Sequence, residues 1–184
     1  MKGTTIPAVL MCLLISRPVA YTRAASFELI KDESSVTYHL VHPLHKIEAT
    51  SKDVQYALDA DVTTKEIKRV SAQVDVTTFD SGNSNRDSHA MEVIDAISYP
   101  EVNFVSTSIV QAGDSVHVKG KLTFHGITKD VDIAGTSTWS DSKLVLRGGL
   151  SVSLAAFSIE RPALLLIPVE DALTFDIVAA FGWK

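Results

Sequence analysis

The chain has 184 residues, 46% hydrophobic and 21% charged, with a net charge of −5 and a single cysteine. This length supports one domain with a sizeable core. An acidic balance without basic clusters argues against nucleic acid as a partner and against electrostatic docking on anionic lipid.

In chain order, the first segment reads as a secretory signal peptide. Met1-Lys2 is a basic start, Ile6 to Ile15 is an apolar run broken only by Pro7, and small residues offer cleavage after Ala20, Ala24 or Ala25. The run is too short to span a bilayer, and Cys12 lacks the spacing of a lipoprotein signal. Loss of residues 1–25 removes three basic residues and no acidic one, so the net charge moves from −5 to −8. It also removes the only cysteine, so the domain at 26–184 must be held by its core and not by cross-links. The predicted location is the periplasm or the exterior of the cell. No later segment reads as a membrane span.

The rest of the chain is dominated by a period of two. Val36, Tyr38 and Leu40 alternate with polar residues, as do Val54, Tyr56, Leu58 and Ala60, and most cleanly Val70, Ala72, Val74 and Val76. Val102 to Thr107, Val116 to Phe124, Lys143 to Leu154 and Ala172 to Phe181 continue the series, with turns at Asp61–Glu66, Ala112-Gly113-Asp114, His125-Gly126 and Trp139–Ser142. Seven to nine strands joined by short turns predict an all-β barrel or sandwich of sequential antiparallel neighbours, and a barrel of about eight strands is favoured because closure removes exposed edges. Trp139 and Trp183 are expected to plug its ends.

Two segments break the meander. Ser81 to His89 is polar and turn-rich, and Met91, Val93 and Ile94 follow at helical spacing before Tyr99-Pro100. This predicts one short helical crossing near 84–96, capped by Ser84, Asn85 or Asp87. The other is Leu164 to Ile167 between Pro162 and Pro168. It reads either as an irregular segment tucked against the core or as an apolar wall at a barrel mouth.

A barrel of about eight strands can be filled by side chains or hold one slender ligand. The predicted interior is Tyr38, Leu40, Val54, Tyr56, Leu58, Ala72, Val74, Val76, Phe104, Leu122 and Phe124. Ala60, Ala72 and Ser106 are small enough to leave space. Arg86, Asp87 and His89 read either as the helix cap or as contacts to a polar head group. His39, His42 and His45, with Glu48, form a weak candidate for Zn or Cu. Pro43 interrupts that segment, and no cysteine supports the site. No serine lies in a nucleophile turn and no acid–base constellation stands out, so no catalytic residue is assigned.

The run Gly82-Asn83-Ser84-Asn85-Arg86-Asp87-Ser88-His89, then Tyr99-Pro100, then Gly120-Lys121-Leu122-Thr123-Phe124-His125-Gly126-Ile127-Thr128, resembles the YceI-like family of exported polyisoprenoid-binding proteins. The resemblance extends from about Ser26 to Lys184. The chain departs from the family pattern at Ala90, Val93 and Ile94 and at Ile159 to Leu164. The resemblance implies a lipocalin-like barrel that binds an isoprenoid (quinone or polyprenyl) or a fatty-acyl chain, with no other cofactor and no enzymatic activity. The alternative is a periplasmic metal or stress-response binding protein built on His39, His42 and His45. An enzyme acting on a quinone or isoprenoid is a third reading. The expected partner is an apolar small-molecule lipid, and homodimerisation stays open.

Overall fold

The computed structural model describes residues 26–164 and 166–183, so the predicted signal peptide at 1–25 lies outside the described residues. The strands are β1 (Phe27–Leu29), β2 (Ser35–His42), β3 (His45–Ser51), β4 (Val54–Asp61) and β5 (Glu66–Asp75). After the helix α1 (Ser84–Val93) come β6 (Glu101–Ala112), β7 (Ser115–Phe124), β8 (Ile127–Trp139), β9 (Lys143–Ser153), β10 (Ala163–Leu164), β11 (Ile167–Pro168) and β12 (Ala172–Trp183). Ten of them form one antiparallel sheet in the order β3-β2-β12-β9-β8-β7-β6-β5-β4, with β1 added to β12. The chain therefore forms the expected antiparallel barrel with one helical crossing, but with ten strands in its wall instead of about eight.

The wall is curled and is not closed by a ladder. β3 and β4 are the edges, and packing of Val36 against Val54 and Val74 draws them together. Thr50 of β3 pairs with Asp80, ahead of α1, and the Ser51 hydroxyl meets that of Thr78 at 2.6 Å. The chain leading into the helix thus satisfies part of the β3 edge that a closed barrel would have removed.

Local chemistry sets the joints. The His125-Gly126 link between β7 and β8 has φ of 48° and 71°, the left-handed pair that matches the twist of a two-residue hairpin. The His125 ring donates from Nδ1 to the Phe157 carbonyl at 2.9 Å and packs at a tilt against Tyr99, ring centroids 4.5 Å apart. This residue pins the chain after α1 and the chain after β9 to one end of the barrel. At the start of α1 the cap is Asn83, whose Oδ1 accepts the Arg86 N–H at 3.2 Å, one residue ahead of the predicted set. Asp87 instead accepts the Ser81 N–H at 3.2 Å and closes the loop below the helix.

The segment at 158–168 combines both readings made of it. Ile159 is buried in the core, as is Val169 just beyond it, whereas β10 and β11 form a small hairpin that projects outward. The opposite end of the barrel is a floor in which Ile67, Val116 and Leu144 are buried and Trp139 and Trp183 pack against them. No helix among the described residues is long and apolar enough to cross a membrane.

A lined cavity under the helix as candidate functional site

Every second residue of a strand faces inward, so the barrel interior is written at alternate positions. Leu173, Phe175, Ile177 and Ala179 of β12 and Val70, Ala72 and Val74 of β5 line one continuous cavity of about 430 Å³. Of the eleven residues predicted to face inward, ten line it: Tyr38, Leu40, Val54, Tyr56, Ala72, Val74, Val76, Phe104, Leu122 and Phe124. Leu58 does not. It packs into the floor with Ile67, Val116 and Leu144, where a register shift between Asp59 and Ala60 bends β4.

Of the three small residues expected to leave space, one lines the cavity. Ala72 lines the cavity, but Ala60 packs into the floor. The Ser106 hydroxyl accepts the Val70 N–H at 3.0 Å beside a β-bulge of β6, so it repairs the ladder. Gly135 and Gly148, cross-strand partners of β8 and β9, also line the cavity, and there the two backbones lie too close for a Cβ at Gly135. Gly120 has a different role: the Phe104 ring lies where its Cβ would be.

α1 covers one end. Ala90, Met91, Val93 and Ile94 face the cavity, and Arg86 and Asp87 stand half-buried at its rim. The Tyr38 hydroxyl lies close to both. Burial pushes its pKa up, the Asp87 carboxylate adds to that, and the Arg86 guanidinium opposes it. His89 is exposed and pairs with Glu92 at 3.7 Å. All three of the trio line the cavity rim, and Asp87 also braces the loop below the helix.

The proposed metal ligands separate. In a strand a step of three reverses the face, so His39 points outward between Glu48 (3.2 Å) and Asp176 (3.0 Å) while His42 points inward. His45 lies across the hairpin from His42, ring centroids 5.0 Å apart. Among the described residues no group of three or more His, Cys, Asp or Glu side chains converges as a metal site. The metal alternative at His39, His42 and His45 therefore lacks a common site, since His39 faces away from the other two.

Tyr56 is the odd polar group of the interior. Its hydroxyl is buried without a hydrogen-bond partner, its ring meets Phe181 edge-on, and burial drives its pKa far up. An unpaired buried hydroxyl costs about 1–3 kcal/mol. Tyr56→Phe is expected to raise stability by roughly 1 kcal/mol, read as a higher Tm in calorimetry. An unchanged or lower Tm would mean that the hydroxyl has a partner.

The model of the YceI-like domain matches residues 27–181. The chain belongs to the YceI-like family. A protein of Pseudomonas savastanoi pv. phaseolicola described as a UPF0312 protein is 27% identical over 140 residues, covering 71% of each chain. Another UPF0312 protein, from Vibrio parahaemolyticus, is 36% identical over 100 residues, 50% of this chain and 53% of its own. Among solved structures, Burkholderia cenocepacia BcnA superposes with a TM-score of 0.74 at 22% identity, covering 83% of this chain and 99% of its own. A polyisoprenoid binding domain from Saccharophagus degradans superposes with a TM-score of 0.67 at 12% identity, covering 87% and 99%. At these identities the two structures establish a shared fold.

The stretches that carry the family resemblance have separate tasks here. Asn83 and Asp87 build the start of the helix, Arg86 faces the cavity, and His125-Gly126 forms the pinned hairpin. Gly126 also gives Tyr99 room, because a Cβ there would lie 2.6 Å from the Tyr99 ring.

Proposed function

We propose that this protein is an exported lipid carrier that holds a single isoprenoid or fatty-acyl tail along the barrel axis. The observation that carries the reading is the continuous cavity, lined by alkyl and aromatic side chains from most strands of the wall, with a guanidinium at one end. The family, and the polyisoprenoid binding domain that shares the fold, support the same ligand class. The tail would lie against Tyr38, Leu40, Val54, Tyr56, Ala72, Val74, Val76, Phe104, Leu122 and Phe124. Arg86 would meet an anionic or polar head group, with His89 nearby at the rim.

The chemistry required is burial alone, so the role is carriage or sequestration and not turnover. Each methylene taken from water contributes about 0.8 kcal/mol, close to a fourfold gain in affinity. Binding should therefore strengthen steeply with tail length and then level off once the tail reaches the floor of Val116, Leu144 and Trp139. Displacement of a fluorescent polyene fatty acid by saturated fatty acids of increasing length measures this. Affinity that rises and then saturates is the expected result. Affinity independent of length would rule out tail binding in the cavity.

A further inference from the structure

The exposed apolar surface of this protein is unevenly placed. Seven large hydrophobic side chains are exposed among the described residues, and five of them, Leu44, Ile97, Tyr99, Leu166 and Ile167, belong to segments at the helix-covered end of the barrel. The other two, Val105 and Val110, lie apart on the outer run of β6. Leu166 is 98% exposed, Ile97 96% and Leu44 62%, values that a soluble surface gives up to water at a cost unless something covers them.

Two hairpin tips carry Leu44, Leu166 and Ile167, and one buried side chain fixes their relation. His42 is only 3% exposed. Its Nδ1 accepts the Leu44 N–H at 3.2 Å, which leaves Nε2–H to donate to the Ile167 carbonyl at 2.9 Å. The same imidazole therefore holds the β2–β3 tip and the β10–β11 tip side by side. A second clasp, the Glu170 N–H on the Val41 carbonyl at 2.8 Å, reinforces the pairing. His42, His45, Pro162 and Ala163 of the same two hairpins line the cavity, so its wall reaches the base of the tips.

We propose that this end of the barrel docks on a lipid bilayer, with Leu44, Leu166 and Ile167 inserted among the acyl chains, and that the ligand passes between membrane and cavity there. The inference rests on the reading of the cavity as a lipid site. A bilayer is favoured over other occupants because the cavity wall reaches the base of the tips, and a tail leaving the cavity by this route would otherwise cross water. Overall charge does not drive it, since the chain carries −5, or −8 once residues 1–25 are removed. Insertion of side chains is the driving force, and it should persist at high salt, unlike docking through basic residues.

The test uses phosphatidylcholine vesicles, with the double variant Leu44→Asp/Leu166→Asp compared against Val105→Asp/Val110→Asp. Flotation should show salt-insensitive vesicle binding by the parent protein and by the β6 variant. The tip variant should bind about tenfold more weakly or worse. Transfer of a pyrene-labelled fatty acid between vesicles should accelerate with acceptor concentration for the parent and become independent of it for the tip variant. Binding of the same fatty acid in vesicle-free solution should be equal in all three proteins, which separates docking from ligand binding. Three results would overturn the proposal: no vesicle binding by the parent protein, equal losses in both variants, or a dimer in sedimentation that the tip substitutions abolish.

Discussion

Ala72→Trp is expected to abolish uptake of long-chain lipids while leaving a folded barrel. Ala72 faces the cavity from the centre of β5, where its register partners are Tyr56 on β4 and Phe104 on β6. An indole projected from this position occupies space that a tail would need, at the level where the cavity passes between β5 and the far wall of Phe175 and Ile177. Overpacking of this kind costs roughly 1–3 kcal/mol in a filled core, and less where an empty volume accepts the added atoms. A circular dichroism melt should therefore show a cooperative transition, while lipid binding falls below detection. A variant that melts normally and still binds long tails would place the ligand elsewhere.

The second large effect concerns stability. Gly135→Ala is expected to destabilise the protein by roughly 2–3 kcal/mol, a drop of about 5–10 °C in Tm for a domain of this size. A Cβ at Gly135 would stand 2.2 Å from the Arg147 carbonyl oxygen and 2.9 Å from the Gly148 Cα. Both obstacles are backbone, so no side chain can turn aside, and the β8–β9 ladder must open locally. Ala134→Ser, one residue along on the exposed face, is the control and should leave Tm within about 1–2 °C. Equal Tm values for Gly135→Ala and the control would mean that the two strands are not so closely opposed.

The barrel was legible because its signal is a face alternation repeated strand after strand. Val70, Ala72 and Val74 face the cavity as their spacing predicts, and so do Tyr38 and Leu40. β3 was harder to see. Its inward positions, Ile47, Ala49 and Ser51, hold only one large hydrophobe, and Pro43 ahead of it reads as a break. The same segment carries the metal alternative, whose spacing of His39, His42 and His45 suits a helix face that β2 and β3 do not provide.

Two features of the site lie beyond any single-segment pattern. Gly135 and Gly148 let their strands approach closely only because register sets them opposite each other on the inner face, and register is a property of two strands together. An isolated strand glycine signals a bulge or a weak point as readily as a close approach of two backbones. His42 is similar: its two hydrogen bonds join the Leu44 amide to the Ile167 carbonyl across a gap of more than a hundred residues. Such a clasp has no signature within either segment. By contrast, the helix start was visible from its polar run, and only the choice of Asn83 as cap needed the backbone.

The central claim is that the cavity holds a lipid tail. Native mass spectrometry of the protein purified from a lipid-containing, exporting host, followed by organic extraction, tests it most directly. The account predicts a discrete added mass that is released into organic solvent as a prenyl or acyl compound and is absent from the Ala72→Trp variant. A bare mass that stays bare after incubation with long-chain fatty acids and isoprenoid quinones would contradict it.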